Sequence, residues 1–181
     1  LGFAERLSGD GSVDPVFGAA SGLANVEVRD LVVAGDGMVT GAGRSLVSVD
    51  GSDRTVLTVF RLGANGTPDP AFGTDGRVNV PSLGLVSTAG SLVLDPDGRI
   101  VVAGVSDGRL IVLRLQADGV LDPVFADSGV FVGPETDGYR LPKITHGTGG
   151  GYRVTTHGPD CAVLALTPGG AVDSSFGTSG M

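Results

Sequence analysis

The chain has 181 residues and a formal charge of −8, with 32 glycines and only 18% charged residues. Acidity without a basic cluster repels a phosphate backbone and an anionic bilayer surface, so neither nucleic acid nor membrane is an expected partner. No apolar run approaches the roughly 18 residues that cross a bilayer. An apolar fraction of 41% argues against disorder. High glycine beside alternating Val, Leu and Thr segments reads as all-β with many tight turns.

Residues 1–7 read as the tail of a strand, and 8–11 as its turn. The segment 11–18 that follows, built on Asp14, Pro15 and Phe17, recurs around Asp69 and Phe72, Asp122 and Phe125, and Asp173 and Phe176. The four phenylalanines lie 55, 53 and 51 residues apart. A period of that length marks stacked supersecondary units rather than one irregular domain. Residues 23–28 read as another short strand. Segments 30–43 and 91–104 then match as two apolar runs joined by an Asp-Gly turn, a strong hairpin signal. The second run is expected to end on Gly43 or Gly104, and on Gly158 in a third copy. In a weaker third copy, 144–158, Gly149-Gly150-Gly151 replaces the Asp-Gly and predicts a longer turn.

The next strand has apolar residues on both faces: Leu57 and Val59 against Phe60 and Leu62, then Leu110 and Val112 against Ile111 and Leu113. A strand wet on one side would alternate with polar residues, so this one is expected to be covered on both. Arg6, Arg61 and Arg114 recur at one position of it, and a charge there needs a partner. The motif acids Asp14, Asp69 and Asp122 are the expected partners. A fourth short strand follows the motif at 76–80 and 129–132.

Within the motif the Asp accepts a backbone amide two residues on, closing an Asx turn. The Pro presets the backbone angle, the Phe folds back as a plug between sheets, and Gly18, Gly73 or Gly177 takes a positive φ. Ser174 and Ala126 depart from the pattern, which suits a structural corner better than a catalytic apparatus.

Four strands per repeat describe the blade of a β-propeller. Residues 1–28 are read as the last two strands of a preceding blade. Blades follow at 29–80 and 81–133, then a third at 134–181 lacking its last strand, all in one continuous repeat domain. The fold class is therefore an all-β, propeller-like array of four-stranded blades, an incomplete ring of about three. A closed ring needs about four blades at least, so further repeats of the same chain or self-association are expected to complete it.

The run Leu-Asp-Pro-x-Phe-Gly-x-x-Gly, after an Asp-Gly hairpin ending in Val-Ala-Gly, resembles the delta-60 repeat family of bacterial β-propeller-like proteins. Residues 92–104 and 110–129 carry the resemblance. It implies tandem arrays in large bacterial proteins that are secreted or sit at the cell surface, and it transfers no catalytic residue.

Asp95 with Asp97, and Asp50 with Asp53, have the look of calcium-loop openings, but the further oxygen ligands and terminal Glu are missing, so they read as turn-forming acids. His146 and His157 on opposite strands of the third hairpin, with Asp160 and Cys161, make a conceivable metal site without zinc spacing. Cys161, the lone cysteine, aligns with Leu57 and Leu110 and reads as a buried thiol. No nucleophile elbow, phosphate loop or dinucleotide turn is present. No catalytic, metal or cofactor residue is therefore assigned. The expected role is a non-enzymatic interaction or scaffold module, extracellular or in the cell envelope, with a protein or carbohydrate ligand. The alternative is a propeller-type lyase or glycan-active hydrolase acting from the central channel.

Overall fold

Two kinds of tight turn cut the chain into antiparallel ribbons. In the first kind, the amides of Ala34 and Asp95 bond the carbonyls of Met38 and Arg99, enclosing three-residue loops that close on a left-handed glycine, Gly37 or Gly98. The third hairpin does not have the longer turn expected of it. The Gly147 amide bonds Gly151 across the same span, with a short 3-10 turn at Thr148–Gly150 in place of Asp-Gly. In the second kind, Asp50-Gly51 and Asp107-Gly108 have positive φ at both residues, the two-residue loop whose twist matches paired strands.

The computed structural model describes residues 5–17, 23, 25–80, 83–135, 141–157 and 161–181, with the backbone alone at 156, 157 and 161. The first sheet contains β1 (Val26–Val33), β2 (Val39–Val49), β3 (Ser52–Leu62) and β4 (Arg77–Val80), in that order. The second repeats it with β5 (Ser87–Leu94), β6 (Ile100–Ser106), β7 (Arg109–Leu115) and β8 (Val130–Glu135). The third holds β9 (Ile144–His146), β10 (Tyr152–His157) and β11 (Cys161–Leu166). Ahead of the first sheet the described residues show the Leu7–Val13 bridge, which recurs as Leu62–Pro68, Leu115–Leu121 and Leu166–Val172.

Two strand limits differ from the sequence reading, for one reason. Residues 26–28 do not end a preceding unit: Val26 pairs with Ser45, so β1 starts three residues before the expected limit at 29. A bulge between Val28 and Asp30 inserts Arg29 and makes one strand look like two; β5 has the same bulge between Ala89 and Ser91. Gly43 and Gly104 do not end their strands either. They sit opposite the bulges, where a Cβ would lie 1.9 Å from the Glu27 carbonyl oxygen and 2.3 Å from that of Thr88. Gly104→Ala is therefore expected to destabilise the chain by about 1–3 kcal/mol in urea unfolding, the range for overpacking a tight site. Gly158 lies outside the described residues.

Each sheet shares its two faces between different cores. Leu57 and Val59 of β3 meet Leu92, Ile100 and Leu113 of the second sheet, whereas Phe60 and Leu62 pack with Phe17 and Leu23 on the other side. Leu110 and Val112 of β7 likewise turn toward Val154 and Leu164 of the third sheet, and Ile111, Leu113 and Leu115 toward the first. Every residue of β6 is buried. The innermost strands are also tied directly. Asp30 Oδ2 accepts the Leu92 amide at 3.0 Å, and at the matching position Ser91 Oγ accepts the Ile144 amide at 2.8 Å.

Candidate functional site

The motif residues build one corner four times over. Asp14, Asp69, Asp122 and Asp173 each accept, through Oδ1, the amide two residues ahead, at 2.8–3.2 Å. Their carbonyls accept the amides of Phe17, Phe72, Phe125 and Phe176. The other carboxylate oxygen holds the recurrent arginine: Arg6 Nε to Asp14 at 2.9 Å, Arg61 to Asp69 at 2.6 Å, Arg114 to Asp122 at 2.8 Å. Each guanidinium lies over its own phenylalanine, 5.2, 4.7 and 4.7 Å from the ring centroid, a cation–π geometry. Its free nitrogen then reaches forward to a turn carbonyl of the next unit, from Arg6 to Ala64, Arg61 to Ala117 and Arg114 to Pro168. The amides of Gly73 and Ala126 bond Asp118 and Gly169 in the same direction.

Phe72 and Phe125 are fully buried, and Phe17 is nearly so. The next turn leaves room only for glycine there: a Cβ on Gly119 would come 3.1 Å from the Phe72 ring, and one on Gly170 2.8 Å from Phe125. Phe176 is half-buried, and Val163 on the same outer face is 40% exposed. Gly73 and Gly177 take the positive φ expected of them, and Ala126 adopts it too at 46° despite its side chain; Gly18 lies outside the described residues.

The fourth corner solves its missing arginine in a way strand alignment does not reveal. Ala165 occupies the arginine position, and its register partner on β10 is Arg153. That side chain crosses over to lie 4.5 Å above the Phe176 ring and 3.7 Å from Asp173 Oδ2. The matching partners in the other sheets are Thr40 and Val101, neither of them charged.

A second constellation fills the junction of the second and third sheets. Tyr152 Oη donates to Asp95 Oδ2 at 2.7 Å, and His146 Nε2 faces Asp95 Oδ1 at 3.1 Å. Arg114 and Arg99 converge on Asp122 at 2.8 and 3.2 Å, and Arg99 also pairs with Asp97. Asp95, Asp97, Arg99, Arg114, His146 and Tyr152 line, with Pro168, a cavity of about 490 Å³, and Asp122 holds two of its arginines from behind. Asp95 thus binds Tyr152 and His146, and Asp50 sits in a hairpin loop. His146 and His157 do not approach each other: His146 is opposite Tyr152 and His157 opposite Cys161, five residues along β10, or about 16 Å. Asp160 and the Cys161 side chain lie outside the described residues. Among the described residues no three His, Cys, Asp or Glu side chains gather as metal ligands.

Residues 96–125, from the turn of the second sheet to its corner phenylalanine, match a family model described as a domain of unknown function (DUF5122) beta-propeller. The sheets are propeller-like blades. Curated proteins hold no match to the chain.

The corner and the blade junction both give stability a pH dependence. The Val16 amide and then Arg6 hold Asp14 below the usual carboxylate range. Burial alone would raise Asp69, but the Ala71 amide and Arg61 outweigh it and lower it. The Ser175 hydroxyl lowers Asp173. Groups with lowered folded values stabilise the fold above the unfolded value and lose that contribution as pH falls through the folded one. Tyr152 has the opposite sign. Burial, then the bond to Asp95, push its phenol up to about 12, against partial relief from Arg114. Its stabilisation is complete below about pH 10 and lost toward pH 12, on the order of 2–3 kcal/mol for this buried group. Thermal midpoints should therefore rise through the acid range, hold level, and fall above pH 10. In Tyr139→Phe protein, which leaves Tyr152 as the one tyrosine, phenolate absorbance should rise near pH 12 rather than near pH 10.

Proposed function

We propose that the chain is a non-enzymatic interaction or scaffold module built from delta-60-type repeats, part of a larger bacterial protein of the cell surface or secreted. One observation carries this: the recurrent charged side chain of each unit ties its own corner to the next unit. Arg6, Arg61 and Arg114 each join an Asp, a Phe ring and a forward carbonyl. Such groups serve rigidity, and a rigid stack presents its loops as a fixed surface. The test presents the intact, immobilised chain to a glycan array and to peptidoglycan fragments, beside chromogenic esters, phosphomonoesters and glycosides. Binding without turnover is the expected result. Turnover of any chromogenic substrate that His146→Leu abolishes would overturn the proposal.

A further inference from the structure

The chain contains its own control for the cavity between the second and third blades. Matching the two junctions by strand register and turn closure sets Asp95 against Ala34, Arg99 against Met38, His146 against Leu94, and Tyr152 against Ile100. At the first junction Leu94 and Ile100 lie in or against the core, and Ala34 and Met38 hold the other two places half-buried. Stacking therefore does not require a carboxylate, a guanidinium, an imidazole and a phenol at these four places. At the second junction all four replace apolar groups and converge on one cavity of about 490 Å³, within the range of small-molecule pockets.

The charges in this cavity already answer one another: Asp97 pairs with Arg99, Asp122 with Arg114 and Arg99, and Asp95 with His146 and Tyr152. An entering ion would have to displace a partner. A hydroxyl, which donates and accepts at once, can add to the free lone pairs and N–H groups without breaking a pair. The side chains of Asp97, Arg99 and His146 are 52%, 40% and 44% exposed, so their polar edges are within reach. Pro96 and Pro168 supply apolar wall. We propose that this cavity binds a neutral, polyhydroxylated small molecule of sugar size. The inference deepens the interaction reading above and rests on it.

The test is amide-resolved NMR titration of the intact chain with methyl β-glucoside, methyl α-mannoside, N-acetylglucosamine and maltose, with inorganic phosphate and glycine as ionic and zwitterionic comparisons. At least one sugar should saturably shift amides of residues 95–99 and 146–152. The double variant Arg99→Met with His146→Leu installs two of the four first-junction residues and should keep the fold. It should weaken that binding by about tenfold or more, the value of one charge-assisted hydrogen bond. Asp97→Asn, at an exposed site, should weaken it as well and serves if the double variant unfolds. No sugar-induced shift at about 10 mM, shifts from phosphate or glycine alone, or full affinity in the folded variants would overturn the inference. Silent sugars would leave the non-enzymatic module standing, whereas turnover in the chromogenic assays would remove that module and leave the saturable sugar shifts as the separate readout of this cavity.

Discussion

Phe125→Ala is expected to lower the unfolding free energy by about 3–5 kcal/mol, the range for emptying a buried aromatic site. The ring is fully buried between the second and third blades, edge-on to Tyr152 at 6.1 Å and beneath Arg114. Its loss opens a cavity that neither blade can fill, because the facing backbone at Gly170 is fixed by the turn bond to Thr167. Phe176→Ala removes the same side chain from the same corner but from a half-buried position, and should cost about a third as much. Denaturant midpoints of the two variants measure the contrast. Equal losses would show that the corner stabilises its own turn rather than the stacking of blades.

Arg114→Met should cost about 3–4 kcal/mol, since removing one member of a buried ion pair leaves the other charge unpaired. Asp122 is 4% exposed at its side chain and would keep, besides the Val124 amide, the partly exposed Arg99 at 3.2 Å, and the Pro168 carbonyl would lose its donor. Adding Asp122→Asn to Arg114→Met should restore a large part of the loss, because the orphaned charge is then gone. A double-mutant cycle in urea reads the coupling. An Arg114→Met protein as stable as the parent would refute the pairing as a source of stability.

The features legible in the sequence were those encoded within a unit. The Asp-Gly turns, the two-faced third strand and the Arg–Asp pair need only partners eight residues apart or fewer than two strands away, such as Arg61 and Asp69. What escaped was the geometry between strands and between blades. The bulge at Arg29 splits β1 in the pattern, its counterpart at Gly90 makes β5 look as if it began at 91, and the glycines opposite them look like strand ends. Arg153 lies across the ribbon from the position that repeats, so only hairpin register exposes it. Asp95, His146 and Tyr152 come together across more than fifty residues of chain. The signal for them was present: Tyr152 and His146 are polar where Ile100 and Leu94 are apolar, a comparison that becomes visible once register aligns the blades.

The most direct measurement is the set of nuclear Overhauser contacts from the ring protons of Phe72 and Phe125. Cross-peaks from Phe72 to the Gly119 α-protons and from Phe125 to the Gly170 α-protons are expected, each joining a corner to the turn of the following blade. Rings that contact only their own unit, or two rings with unlike neighbours, would contradict the stacking of equivalent blades.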